Sequence, residues 1–380
     1  MRTNLADVLP LSPAQEGLLY HALLDESDVD VYVTQTVLRL DGPVDVDRLR
    51  AAVDGLLARH PNLRACFRHA GLAQPVALVP HRVTVPWTEV DLSGRERADA
   101  DAEWRRLLDA DRDRHFDVTR PPLLRCHLVR RPAGRVDLLL TVHHILVDGW
   151  SMRVALRDLG ALYAGTALPP AAPFRDYLAW LRAQDRERAV AVWQAALAGL
   201  ERPTVLAPGH GVAVRPDVFD VEVDPDLTTR LAGALRGTGV TLNTAVQASW
   251  GLVLSRVTGW PDVVFGAVVA ARPPDVPGVE SMVGMFANTV PVRVRIRPGD
   301  RLGTLLSRLR DEQADLLSHH HVRLVDVQHR AGVGELFDTV LAFQNFPGLR
   351  DEPAGAGVVR PVPVEMRDAT HYPLTVVATA

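Results

Sequence analysis

Lysine is absent from this sequence of 380 residues, so all 42 of its basic residues are arginine. They are balanced by 46 acidic residues, which gives a formal net charge of −4. That balance offers no electrostatic basis for binding nucleic acid or an anionic membrane surface. We interpret the missing lysine as the coding bias of a GC-rich genome and not as a functional signal.

Cysteine and long apolar runs are also scarce. Cys66 and Cys126 are the two cysteines, which argues against a disulfide framework and favours a reducing cytoplasm. No apolar run is long enough to span a bilayer, and residues 1–4 lack a signal-peptide core. The sequence therefore predicts a cytoplasmic protein. Its length exceeds that of one typical core, which predicts two domains or lobes.

The most informative stretch is VHHILVDGWS at residues 142–151. An apolar run at 136–142 predicts a buried strand before it, and the Asp148-Gly149 pair is a turn signal. Apolar residues at helical spacing predict a helix over 150–163. Two histidines therefore end a strand, and a tight loop carrying an aspartate leads into a helix. Short loops held between rigid elements often carry functional residues.

Strand geometry separates the two histidines, because successive side chains point to opposite faces. If His144 faces an open channel, His143 faces packed protein. Two structural histidines beside an ordinary turn would explain a lone His-His pair, but four residue types at fixed spacing are far more specific. A neutral imidazole can take a proton from an attacking amine or hydroxyl near neutral pH. His144 is therefore the candidate base, and no Ser or Cys nucleophile is required.

The run from His143 to Gly149 resembles the HHxxxDG signature of condensation domains of nonribosomal peptide synthetases. The signature is shared with a wider superfamily that includes chloramphenicol acetyltransferase. Further runs resemble the family's other motifs, in family order, at 11–21, 59–67, 174–180, 283–293, 337–347 and 370–375. The resemblance therefore covers nearly the whole chain.

Three of these runs take the form associated with the subclass whose donor substrate ends in a D-residue. They are Gln15-Glu16-Gly17, Phe343-Gln344-Asn345 and Thr370-His371-Tyr372-Pro373. Each run alone is a weak signal, because each also has a role in packing. Their joint occurrence predicts a D-donor, L-acceptor type of domain.

The resemblance implies an α+β fold of two chloramphenicol acetyltransferase-like lobes that form a V with a channel between them. Residues 1–180 would be the N-terminal lobe, 181–216 a helix and linker, and 217–380 the C-terminal lobe. The second half repeats helix then strand but has no second HHxxxDG run, which predicts one active site between the lobes. The sequence ends inside a predicted strand, so we expect the second lobe to be truncated relative to the family.

The activity implied by the resemblance is formation of an amide between two carrier-bound thioesters. An upstream peptidyl group passes to the amine of a downstream aminoacyl group, both carried on phosphopantetheine arms of partner carrier proteins. Adjacent epimerisation and adenylation domains are possible further partners. His144 would deprotonate or position the amine. The domain itself would need no metal or redox cofactor.

The other site residues follow from the same resemblance. A partly buried Asp148 needs a partner to stay charged, and we predict Arg64 as that partner. With His143, these two residues would organise the loop, while Gly149 would allow the turn and offer a backbone N–H to the developing oxyanion. The residues expected to line the channel are Trp150, Ser151, Asn288 and Thr289.

Alternative functions remain open on the sequence alone. A stand-alone acyltransferase would use the same His144 with a soluble acyl thioester and an alcohol. A catalytically inactive module could dock carrier proteins without turnover. An epimerase-type relative is disfavoured by the order Gly149-Trp150-Ser151 and by Asn288-Thr289. A metal site at His319-His320-His321 is also disfavoured, because consecutive residues do not easily share a tetrahedral centre.

Overall fold

The structure is a computed structural model that describes residues 4–24, 30–40, 42–208, 215–344 and 361–379. Its first part contains strands β1 (Leu5–Leu9), β2 (Val33–Leu40), β3 (Cys66–Arg68), β4 (Val76–Pro80), β5 (Trp87–Asp91), β6 (Leu124–Arg131) and β7 (Arg135–His143). The helices of this part are α1 (Pro13–Leu24), α2 (Val46–Arg59), α3 (Arg97–Arg112) and α4 (Gly149–Ala164).

The remaining part begins with helices and ends with strands. Its helices are α5 (Phe174–Ala183), α6 (Arg186–Leu197), α7 (Pro225–Leu235), α8 (Leu242–Thr258), α9 (Leu302–Leu316) and α10 (Leu324–Ala331). Its strands are β8 (Asp262–Ala270), β9 (Ala287–Arg295), β10 (Thr339–Gln344), β11 (Pro361–Arg367) and β12 (Leu374–Thr379). In the described ranges, no helix is long and apolar enough to cross a membrane.

The first lobe is built on a sheet with strand order β11-β2-β7-β6-β5. Its pairs are antiparallel except β5 with β6, which confirms the largely antiparallel sheet expected from the sequence. The central strand β7 is buried along most of its length, and Leu138 and Leu140 pack with helices α2 and α4 in one core. A small antiparallel sheet, β1-β4-β3, lies beside it.

Local sequence signals explain where several helices begin and end. Ser12 and Gln15 form the predicted capping box of α1: the Ser12 N–H donates to Gln15 Oε1 at 3.1 Å, and the Gln15 N–H donates to Ser12 Oγ at 3.3 Å. Thr241 caps α8, whose apolar run ends at Gly259 with φ of 77°, as expected for a glycine that closes a helix.

The second lobe is built on a sheet with order β12-β10-β8-β9. Strand β10 is parallel to β8 and β12, while β8 and β9 are antiparallel. Leu254 of α8 and Leu305 of α9 pack against Phe265 of β8 on one side of this sheet. The α+β class expected from the sequence is confirmed.

Two elements cross the predicted lobe boundaries. Helix α6 lies in the predicted linker 181–216, but its Trp193 is buried in the second lobe's core with Phe337 and Val340. Strand β11 comes near the end of the chain, yet it pairs with β2 of the first lobe. The boundaries at 180 and 216 stay a prediction, and these two elements show that the lobes exchange structure.

Candidate active site

A cavity of about 1810 Å³ lies between the two lobes. Its walls come from α1, the start of α4, the second-lobe strands β8, β9 and β10, and residues 366–377. Among the described residues that line it there is no serine and no cysteine. The cavity is large enough for two extended substrates, and its most chemically active groups are histidines and carboxylates.

His143 is the last residue of β7 and is fully buried. Its Nδ1 accepts the backbone N–H of Ile145 at 3.1 Å, which closes the short 3₁₀ turn that follows. Burial, with some contribution from His144, lowers the pKa of His143 to about 3. A neutral ring is required for this contact, because a protonated Nδ1 has no lone pair to accept with. His143 therefore shapes the turn and does not reach the cavity.

His144 is the first residue of that turn, and its side chain lines the cavity with 22% of its surface exposed. Its backbone N–H donates to the carbonyl of Tyr32 at 2.8 Å, which fixes the chain as it leaves the strand. The predicted separation of the two histidines is confirmed. It arises because β7 ends at His143, so the next residue turns toward the cavity.

A carboxylate that sequence reasoning missed lies next to His144. Asp368 Oδ2 is 3.7 Å from His144 Nε2. Burial alone would lower the pKa of His144, but the charge of Asp368 and its interaction with the ring outweigh burial and raise the pKa to about 9. The adjacent motif at 370–373 is recognisable in the sequence, but nothing there ties Asp368 to a histidine 224 positions away.

Asp148 caps α4 and joins the two lobes. Its Oδ1 accepts the N–H of Ser151 at 2.7 Å, inside the first lobe. Its Oδ2 accepts the N–H groups of Phe286 and Ala287, both at 3.0 Å, at the start of β9 in the second lobe. Arg272 Nη2 lies 3.5 Å from Oδ1, and both side chains are about 5% exposed or less. Asp148 thus holds the start of α4 against the second lobe.

The predicted pairing of Arg64 with Asp148 is wrong. Arg64 lies in a 3₁₀ turn, Pro61–Arg64, and not on a strand. Its Nη1 donates to the carbonyl of Leu57 and its Nε donates to the carbonyl of Pro80 at 2.9 Å. The last carbonyls of a helix have no partner within the helix, and the buried guanidinium supplies one at the end of α2. Arg272 takes the place next to Asp148 that was predicted for Arg64.

Ser151 does not line the channel as predicted. It is fully buried, and its Oγ donates to the carbonyl of Gly284 at 2.6 Å. The same oxygen accepts from the Gly284 N–H at 3.1 Å and from Arg272 Nη2 at 2.7 Å. Its role is to fasten α4 to the loop before β9. Trp150, by contrast, lines the cavity, and its Nε1 donates to the carbonyl of Glu280 at 2.9 Å.

Gly149 is the first residue of α4 and also lines the cavity. It is not among the glycines with positive φ, so the turn does not depend on a left-handed conformation at this position. Its N–H is one of the first four of the helix, which have no acceptor within the helix. An oxygen that gains negative charge next to this helix start would therefore meet a donor.

The comparisons with known proteins agree with this geometry. A family model described as Condensation domain matches residues 5–380. The chain belongs to the condensation-domain family. The resemblance first inferred from the motifs is therefore confirmed.

This condensation domain is similar to parts of much longer proteins. It is 32% identical to one of the linear gramicidin synthase proteins of Brevibacillus parabrevis over 99% of this chain and 8% of that protein. It is 29% identical to surfactin synthase subunit 3 of Bacillus subtilis (strain 168) over 100% of this chain and 30% of that protein. The chain thus spans less than a third of either relative. Among solved structures, the first condensation domain of the calcium-dependent antibiotic synthetase, in complex with a substrate analogue, gives a TM-score of 0.80 at 26% identity, covering 98% of this chain and 88% of that chain.

The two predicted channel residues on β9 of the condensation domain differ in their contacts. Asn288 touches the cavity, but its Nδ2 donates to the carbonyls of His320 and Val322 at 2.8 and 2.7 Å, which anchors the segment before α10. Thr289 lines the cavity, and its side chain hydrogen-bonds to Tyr372. Both residues thus hold neighbouring segments of the cavity wall.

The three consecutive histidines at 319–321 serve local packing. The carbonyl of His319 accepts from Trp193 Nε1 at 2.9 Å, and His321 Nδ1 lies 3.1 Å from the carbonyl of Ser318. Across the part of the chain that the structure describes, no group of three or more His, Cys, Asp or Glu side chains is placed to hold a metal ion.

The runs associated with a D-donor meet on one wall of the cavity. The ring of His21 on α1 stacks on the ring of His371 with centroids 4.0 Å apart. Tyr32 Oη is 2.6 Å from His371 Nδ1. Phe343 and Gln344 also line the cavity, whereas residues 345–347 of the same run lie outside the described residues. Residues far apart in the chain therefore share one surface.

Proposed function

We propose that this condensation domain joins two thioester-bound substrates by an amide bond in nonribosomal peptide synthesis in the cytoplasm. Each substrate arrives on the phosphopantetheine arm of a partner carrier protein. The observation that carries the proposal is His144, whose side chain reaches a cavity of about 1810 Å³ walled by both lobes. Adenylation and epimerisation domains are the expected neighbours in the assembly line.

The composition of the cavity wall favours direct attack by the amine. Burial raises the pKa of Cys66, and burial raises that of Cys126 to about 12, so neither thiol is available as a nucleophile. Ser151 is bonded to Gly284 in the interior. The acyl group therefore passes from donor to acceptor without an acyl-enzyme.

The reaction steps follow from this arrangement. The acceptor nitrogen attacks the donor thioester carbon while a proton moves from nitrogen to His144 Nε2. The C–S bond then breaks, and the leaving sulfur takes the proton from His144, so that the products are an amide and a free thiol. The N–H of Gly149 is in position to donate to the oxygen that becomes negative, and Asp148 keeps α4 in place. The domain needs no cofactor of its own, because the pantetheine belongs to the substrates.

The donor site is proposed to prefer a peptide that ends in a D-residue. The support is the shared wall built by His21, Tyr32 and His371, with Phe343 and Gln344 on the same cavity. A rigid wall of rings near His144 can admit one configuration and displace the other. A displacement on the order of 1 Å costs about 100-fold in rate.

The experiment compares matched substrates on carrier proteins. The upstream carrier is loaded with D-ended or L-ended forms of one dipeptide, the downstream carrier with an amino acid, and initial rates of amide formation are measured. Equal rates, or faster reaction of the L form, would remove the donor preference and leave amide formation intact.

The same assay separates the competing functions. Reaction of a soluble acyl-coenzyme A with an alcohol, in place of the carrier-bound pair, would identify a stand-alone acyltransferase. Binding of loaded carriers without turnover would identify a docking module.

A further inference from the structure

Asp368 is the acidic group closest to the candidate base. It lies between β11 and β12, and its Oδ1 accepts the backbone N–H of Ala369 at 2.9 Å. This bond orients the carboxylate so that Oδ2 faces His144 Nε2 at 3.7 Å. Both side chains line the cavity, and Asp368 is 48% exposed. The open oxygen therefore points into the space where a substrate would react.

The surrounding charges leave Oδ2 of Asp368 available. Arg367 is turned to Asp109 and Glu365, both at 2.7 Å. Arg112, at the end of α3, acts on Asp368 by its charge and is not among its ion pairs or hydrogen bonds in the described residues.

The neighbours of His144 are occupied in other ways. Of the groups close to it, Asp148 is held by Arg272 and by backbone N–H groups. His143 is kept neutral by burial, which lowers its pKa to about 3. The pair formed by His144 and Asp368 therefore presents a positive and a negative group side by side when the cavity holds no substrate.

The distance between the two atoms suits a shared nitrogen. Hydrogen bonds from nitrogen have lengths of about 2.9 Å, so one nitrogen can contact two acceptors that are less than about 5.8 Å apart. The 3.7 Å between Asp368 Oδ2 and His144 Nε2 is well inside that limit.

We propose that Asp368 binds the protonated α-amino group of the acceptor substrate and so positions its nitrogen next to His144. This inference rests on the proposed amide-forming function, because it names the group that receives the acceptor.

The charges balance through the step. An acceptor enters as an ammonium group, and its positive charge takes over the contact with Asp368 that protonated His144 had made. His144 then loses its proton to solvent, because two neighbouring cations disfavour each other. The neutral ring next takes one proton from the ammonium nitrogen, and the free amine can attack. Asp368 stays a carboxylate throughout and acts as a positioning residue.

The test measures binding and needs no turnover. The probe is an alanyl group joined to aminopantetheine by an amide in place of the thioester, which cannot react. Its partner is the lactyl counterpart, which carries a hydroxyl where the first has an ammonium group. Dissociation constants are measured by calorimetry for the wild-type protein, Asp368→Asn and a control, Glu335→Gln. Glu335 lines the same cavity, so its variant also converts a carboxylate to an amide there.

The expected result is a selective loss. The wild-type protein should bind the alanyl probe more tightly than the lactyl probe. Asp368→Asn should weaken the alanyl probe by about 10- to 100-fold, the range for a hydrogen bond to a charged group, and leave the lactyl probe nearly unchanged. Glu335→Gln should change neither. Equal weakening of both probes in Asp368→Asn, or no preference in the wild-type protein, overturns the proposal.

A second readout separates this role from a purely structural one. The imidazole signal of His144, followed by NMR, should titrate at lower pH in Asp368→Asn than in the wild-type protein, because the carboxylate that favours the proton is gone. The alanyl probe should have the same effect on the wild-type protein, and the lactyl probe should not. An unmoved titration in both cases refutes the inference. Failure of amide formation in the carrier assay would instead refute the proposed function.

Discussion

The contact between Asp148 and Arg272 predicts a specific stability coupling across the two lobes. In Asp148→Asn one carboxylate oxygen becomes an NH₂ group. Either the N–H of Ser151 or the N–H groups of Phe286 and Ala287 then lose their acceptor. Each buried donor left unpaired costs about 1–3 kcal/mol, and Arg272 is left without its counter-charge. We therefore expect a loss of about 3–5 kcal/mol in the free energy of unfolding, as for a broken buried ion pair.

A double-mutant cycle isolates the pair. Free energies of unfolding in urea are measured by circular dichroism and tryptophan fluorescence for Asp148→Asn, Arg272→Met and the double variant. Because each single change strands the partner, the double variant should lose less than the sum of the singles, by roughly 0.5–3 kcal/mol.

Arg64→Met combined with Asp148→Asn is the matched control. Arg64 bonds to carbonyls elsewhere, so these two losses should add to within about 0.5 kcal/mol. Additive losses for Asp148 with Arg272, or coupling between Asp148 and Arg64, would refute the assignment.

The remaining predictions concern the turn and the loop that faces it. His144→Ala should lower the rate of amide formation by about 10²- to 10⁴-fold while the urea midpoint stays nearly constant, and wild-type turnover would exclude it as the base. His143 has a folded-state pKa of about 3, below its unfolded value, so its contribution to stability is present above about pH 6.5 and is lost as pH falls toward 3. His143→Ala should thus be less stable at pH 7, with a pH slope of stability between about pH 6.5 and 3 smaller by about one proton; an unchanged slope would contradict burial of a neutral ring. Gly284→Ala should destabilise strongly, because its Cβ would lie 2.2 Å from Phe174 Cδ2, whereas Gly17→Ala meets nothing within 4 Å and should be tolerated; equal midpoints for the two variants would show that the loop can move aside.

Features set by neighbouring residues could be predicted from the sequence. The capping box of Ser12 and Gln15 depends on two side chains three positions apart, and the end of α8 at Gly259 depends on one glycine. The turn after His143 was predictable for the same reason, since its partner is the N–H of Ile145.

Contacts between distant segments could not be predicted in this way. Asp148 is met by Arg272 and by backbone N–H groups of residues 286 and 287, and backbone donors leave no mark in a sequence. A motif near residue 64 contained an arginine, but its surroundings did not reveal that helix carbonyls would occupy it. Ser151 follows the HHxxxDG run directly, yet its burial depends on Gly284 in the other lobe.

The pairing of β11 with β2 has a consequence for how the chain is made. Strand β2 is synthesised early, but the strand that covers one of its edges comes more than 300 residues later, at Pro361–Arg367. Until then the emerging chain presents an open row of backbone donors and acceptors on an apolar strand, which is a template for pairing with other chains. Slow translation or early release of the polypeptide would prolong that exposure. An isolated first lobe, ending before β11, should for this reason be prone to self-association during expression.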